Sequence, residues 1–163
     1  MEKFDEYQQA TKEFALYPKE VAVLYTTCGL VGEASEAAEK VMNYVCEELQ
    51  AKGSEQLELF GETDEGKNIT YFLELLGTIT NTGRKLEKFK KQVRKGELKL
   101  PVFKEMTDKQ KSDLKFECGD QLWYLSELAT SLGLNLSDIA KSNIVKLDSR
   151  KVRNVLHGQG DNR

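Results

Sequence analysis

The sequence predicts an all-α fold, a packed bundle of about five helices. Three observations carry that expectation. Only two prolines, Pro18 and Pro101, interrupt 163 residues, and proline is the residue that most reliably breaks a helix. Apolar residues recur at helical spacing over long stretches, and no useful run alternates as a strand would. No glycine-rich dinucleotide fingerprint, phosphate-binding loop with its lysine, or solenoid repeat is present.

The elements follow in order. Residues Lys3 to Leu16 read as a first helix stopped before Pro18. From Lys19 to Lys52, the positions Val23, Leu30, Ala34, Ala37, Val41, Val45 and Leu49 repeat at helical spacing and form an expected core stripe. Gly53 to Lys67, with three glycines and an acidic bias, reads as a loop. A third helix is expected from Asn68 to Lys95, with Gly77 or Gly83 as a point of interruption. Its second half sets Leu86, Phe89 and Val93 on one face and Lys88, Lys91 and Lys95 on another. Gly96 to Met106 connects to a fourth helix capped by Thr107 or Asp108. That helix carries Leu114, Cys118, Leu122, Leu125, Ala129 and Leu132 and stops at Gly133. Ser137 is the expected cap of a last helix running to Lys151, and residues 154–163 read as a glycine-rich tail.

A chain of this length fits a single domain with a sizeable core. The net charge of −3 argues against a broad surface for duplex nucleic acid. The apolar runs are too interrupted to span a bilayer, and MEKFDEYQQ lacks a signal-peptide pattern, so the cytoplasm is the expected location. Three cysteines, Cys28, Cys46 and Cys118, have no metal-binding spacing and read as buried, reduced thiols. The single histidine, His157, sits in the tail, which argues against Cys-His or Ser-His-Asp catalysis.

Chemistry is concentrated in two acidic pairs, Glu33-x-x-Glu36 and Glu117-x-x-Asp120. A three-residue step on a helix sets both carboxylates of a pair on one face, one turn apart. Four such carboxylates call for a cation. Oxygen donors without histidine or cysteine suit Mg²⁺, with Mn²⁺ as a substitute. Gly32 and Gly119 adjoin the pairs, although glycine costs about 1 kcal/mol inside a helix, and so read as marks of a site. Asn143, Lys146 and Arg150 form one stripe able to hold a polyphosphate or to complement the helix dipole. Lys88 and Lys91 are either further phosphate contacts or solvent-facing charge. Tyr124, on the face of Asp120, and Trp123 beside it are either stacking platforms for a base or core residues.

The segments GLVGEASEAAEKV and FECGDQLWYLSELATSLGLNLSDIAKSNIVKLDSR, followed by GDNR, resemble the MazG-like branch of the all-α nucleoside triphosphate pyrophosphohydrolases. The resemblance implies Mg²⁺ ligands at Glu33, Glu36, Glu117 and Asp120, and substrate contacts at Asn143, Lys146 and Arg150. It implies hydrolysis of a nucleoside triphosphate between its α- and β-phosphates, in a homodimer or homotetramer; for that reaction, Glu36 and Glu33 are the carboxylates expected to orient or deprotonate the attacking water. The chain departs from the family at Gly32, where many members have glutamate, and in the stretch 42–83, which reads as an insertion extending the two central helices. A helical protein that binds nucleotide or metal without turnover, acting through protein partners, is the alternative; a purely structural bundle is the third reading.

Overall fold

A computed structural model describes residues 2–51, 58, 60–101 and 104–156. The tail with His157, and most of the glycine-bearing start of the expected loop at 53–67, lie outside them. Five long helices run through the described residues: α1 (Glu2–Thr11), α2 (Ala22–Gln50), α3 (Asp64–Arg94), α4 (Asp108–Ser131) and α5 (Leu136–Val152). No strand is present among the described residues. The chain divides into two compact units, residues 1–16 with 104–163, and residues 17–103.

Local chemistry sets the boundaries. α1 tightens into a 3-10 turn at Lys12–Phe14, and Pro18 precedes a second such turn, Lys19–Val21, which leads into α2. α3 starts four residues before the expected Asn68, because the Thr63 side chain accepts a hydrogen bond from the Gly66 amide while Asp64 and Glu65 complement the helix N-terminus. It runs unbroken through Gly77 and Gly83. Thr107 and Gln110 form a reciprocal capping box at the start of α4. Gly133, at φ +67°, ends α4, with the Leu134 amide donating to the Ala129 carbonyl at 2.8 Å. The cap of α5 is Asn135, not Ser137, which lies inside the first turn.

In the second unit, α2 and α3 form an antiparallel hairpin. Its register is fixed by the approaches of Tyr25 to Arg94, Gly29 to Lys90, Gly32 to Glu87 and Ser35 to Gly83. The seam residues of α2 therefore step through 25, 28, 32, 35, 39 and 42, the alternating three- and four-residue spacing of coiled-coil packing. Small residues let the backbones close. A Cβ on Gly83 would lie 1.7 Å from Ser35 Oγ, and one on Gly32 would lie 2.5 Å from Glu87 Oε1. Ser35 and Thr80 are buried in this seam, with Val21 and Val93 buried near its base.

An antiparallel pair is related by a two-fold axis normal to its plane, so equal offsets from the seam reach the same face on both helices. One residue past the seam lie Glu33, Glu36 and Lys40 on α2, and Arg84, Lys88 and Lys91 on α3. One residue before it lie Leu24, Val31, Ala34 and Val41 on α2, and Phe72, Leu75, Ile79 and Leu86 on α3. The hairpin thus has a charged face and an apolar face.

Several expected core residues are exposed. Val23, Leu30 and Val41 belong to the outer apolar surface of α2, since the seam takes a separate row of smaller residues. On α4, Ala129 is buried, whereas Leu114, Cys118, Leu122, Leu125 and Leu132 are exposed. Cys28 and Cys46 are half-buried rather than fully enclosed, and all three thiols are free.

Candidate functional site

Each unit carries part of the residue set that the sequence singles out. On the hairpin, Glu33 and Glu36 share the charged face with Lys88 and Lys91, and both carboxylates are exposed. The Arg84–Glu39 ion pair, 2.5 Å long, lies one turn along this face from Glu36 and Lys88. Arg84 had no distinguishing signal in the sequence beyond its place in a basic run. Only the helix register brings it opposite an acidic residue.

Gly32 is explained by packing. The Glu87 carboxylate, paired with Lys90, occupies the space into which a side chain at position 32 would project. Lys90 also lies 5.7 Å from the centre of the Tyr25 ring, which stacks on Tyr17 at 4.6 Å. A charge pair settles against the small α2 surface here, so Gly32 reports helix approach and not a ligand. Gly119 differs: a Cβ there would meet nothing within 4 Å.

In the other unit, Glu117, Asp120 and Tyr124 share one face of α4, and all three are exposed. Trp123 is 56% exposed and meets the Tyr124 ring edge-on, with centroids 4.7 Å apart, so it is not a core residue. On α5, Asn143 and Lys146 line a groove of about 470 Å³ together with Asp138, Ser142 and the Gly133–Asn135 turn. That volume is in the range of small-molecule sites. Arg150, one turn beyond Lys146, is only 6% exposed.

Asn143 has a partner that the sequence did not reveal. The Tyr7 hydroxyl, from α1, donates to Asn143 Oδ1 at 2.9 Å. Burial raises the Tyr7 pKa above its ordinary value. With its oxygen so engaged, Asn143 turns its amide nitrogen, a donor, to its remaining surroundings. The same helical region is tied to α5 by Lys151, which reaches Glu13 at 2.5 Å and lies over the Phe14 ring.

Among the described residues, no group of three or more His, Cys, Asp or Glu side chains is gathered closely enough to hold a metal ion. The donor chemistry of each pair nevertheless fits a hard cation. Glu33, Glu117 and Asp120 have no ion pair with a described residue, so their oxygens are not already neutralised. No described helix is long and apolar enough to cross a membrane.

The chain is 34% identical over 103 residues to the gene 37 protein of Mycobacterium phage L5, an alignment covering 63% of this chain and 83% of the phage protein. It belongs to the gene 37 protein family. No family profile matches the chain, and no solved structure matches it. For this gene 37 family chain, the chemistry is therefore argued from its own side chains.

Proposed function

We propose that this protein is a Mg²⁺-dependent nucleoside triphosphate pyrophosphohydrolase that releases a nucleoside monophosphate and pyrophosphate. The observation that carries the reading is the charged face of the hairpin. There, two carboxylates a turn apart share one surface with Lys88 and Lys91. Carboxylates suit a divalent cation, and nearby cations suit the anionic substrate which that cation accompanies. The MazG-like resemblance supplies the bond that is cut and extends the ligand set to Glu117 and Asp120.

Mg²⁺, or Mn²⁺ in its place, when bound supplies charge neutralisation and Lewis acidity to the phosphates. The residues that would hold it are Glu33 and Glu36 in the hairpin and Glu117 and Asp120 in the other unit. Glu36 would hold and deprotonate the attacking water, with Glu33 orienting it. Lys146 and Arg150 stabilise charge on the phosphates, arginine by paired donors and lysine as a point charge. On the hairpin, Lys88 and Lys91 would attract the anionic substrate. Asn143, held by Tyr7, offers its amide to a sugar or phosphate oxygen, and the exposed Tyr124 ring offers a stacking surface to the base.

The test is product analysis with each nucleoside triphosphate and Mg²⁺. Monophosphate and pyrophosphate should appear in equal amounts, and Glu36→Ala or Asp120→Ala should reduce the rate by at least about a hundredfold. Release of orthophosphate would assign a different bond. Metal-dependent binding without turnover would instead favour a nucleotide-binding protein that acts through partners.

A further inference from the structure

We propose that the groove beside the α4–α5 turn is the sugar subsite for the nucleotide, with Asp138 accepting hydrogen bonds from the 2′- and 3′-hydroxyls of a ribose. The inference rests on the nucleotide reading of the Asn143–Lys146 stripe and adds to it the discrimination of ribose from deoxyribose.

The groove is lopsided in its chemistry. Its volume of about 470 Å³ is bounded in part by Leu134, Asp138, Ile139, Ser142, Asn143 and Lys146. At one end Lys146 offers an ammonium group. Asn143, whose oxygen is occupied by Tyr7, offers its amide nitrogen there. Both are donors and suit an anion. At the other end Asp138, when ionised, can only accept. Ser142 lies between them and can do either.

Charge sets the direction in which a nucleotide lies. Asp138 stands in the first turn of α5, where its carboxylate repels a phosphate, so the phosphates belong at the Lys146 end. Positions 138 and 146 are about 12 Å apart along the helix axis at 1.5 Å per residue. That span suits a ligand whose anionic groups lie several bonds from its donors, as a ribose with its 5′-phosphates does. It is too long for an amino acid zwitterion, whose opposite charges sit on adjacent carbons. Leu134 and Ile139 add an apolar wall, which the carbon face of a sugar ring can cover and a bare polyphosphate cannot.

Asp138 is available for this contact. Its ion pair with Lys141 is 3.7 Å long, with the two side chains 67% and 78% exposed. A pair so exposed contributes little, and at that distance it leaves the hydrogen-bonding positions of the carboxylate open. Two oxygens on one planar group match two hydroxyls on adjacent ring carbons, one bond to each. A 2′-deoxyribose keeps one of those bonds.

The test uses the full chain with Mg²⁺ and two probes that cannot be cut between the α- and β-phosphates, α,β-methylene-ATP and its 2′-deoxy form. Calorimetry should show the ribose form binding about tenfold more tightly, as one hydrogen bond to a charged group allows. Asp138→Ala should remove the preference with circular dichroism unchanged. Asp138→Asn, which keeps one neutral acceptor, should retain part of it. Lys146→Ala should weaken both probes alike and preserve their ratio. In the unsubstituted chain, the ribose form should shift the amide NMR signals of residues 133–142. Equal affinity for both probes, a preference that survives Asp138→Ala, or NMR shifts confined to other residues overturns the sugar assignment. Continued hydrolysis of nucleoside triphosphates would then leave the pyrophosphohydrolase reading standing. An Asp138-dependent preference in a chain without turnover upholds the subsite and removes the hydrolase reading. Failure to bind either probe overturns the subsite, and absence of turnover alongside it removes the hydrolase reading as well.

Discussion

Tyr7 illustrates what one side chain can determine. Its hydroxyl reaches Asn143 across 136 positions of sequence and fixes which end of the amide is free. Tyr7→Phe removes that bond with almost no change in shape. If Asn143 contacts substrate, KM should rise about three- to tenfold while kcat changes less, reflecting roughly 1 kcal/mol of lost positioning. A purely structural role would lower the melting temperature without separating KM from kcat. The ionisation of Tyr7 gives a second signature. Its folded pKa is raised by burial above the ordinary phenol value of 10.0, so its stabilising contribution is fully present below that value. It is lost as pH climbs through the folded pKa. Thermal melts should therefore fall more steeply above about pH 10 in the parent protein than in Tyr7→Phe.

Helix pairing depends on very small residues at a few places. Gly83→Ala would drive a methyl group to 1.7 Å from Ser35 Oγ and 2.2 Å from Ser35 Cβ. The hairpin should lose about 1–3 kcal/mol, as other overpacked seams do. Because the Ser35 Cβ is itself too close, Ser35→Ala cannot relieve the clash. Ser35→Gly should, so the double variant Ser35→Gly, Gly83→Ala should recover much of the loss in a denaturant titration. At the start of α4, Thr107→Ala removes the half of the capping box in which the threonine oxygen accepts from the Gln110 amide, leaves the residue-107 amide bonded to Gln110 Oε1, and should cost about 1 kcal/mol by the same measurement. The helices themselves were legible in the sequence, because periodicity, proline placement and the Thr107 and Gly133 signals are local. The seam was not. Val23, Leu30, Ala34, Ala37 and Val41 form a clean periodic row, and nothing local distinguishes that row from the smaller Gly32 and Ser35 row that pairs with α3. Register decided it, and with it the shared face of Glu33, Glu36, Lys88 and Lys91. The Tyr7–Asn143 bond was equally hidden, since neither residue carries a motif that points to the other.

Across the molecule, the two acidic pairs belong to different compact units, with Glu33 and Glu36 in residues 17–103 and Glu117 and Asp120 in the other. A thermal shift reads, without turnover, whether cation binding depends on one pair or on both. Mg²⁺ at about one hundred times its dissociation constant adds about 2.7 kcal/mol to the state that binds it. For a chain of this size that raises the melting temperature by about 5–10 °C. Glu36→Gln and Asp120→Asn keep the shape of each side chain while removing its charge. Each should abolish most of the shift, and the double variant should lose little more than either single one, because a site once broken cannot be broken again. Additive losses would instead mean two separate cation sites. A shift removed by Glu36→Gln but untouched by Asp120→Asn would confine the cation to the hairpin and remove α4 from the ligand set.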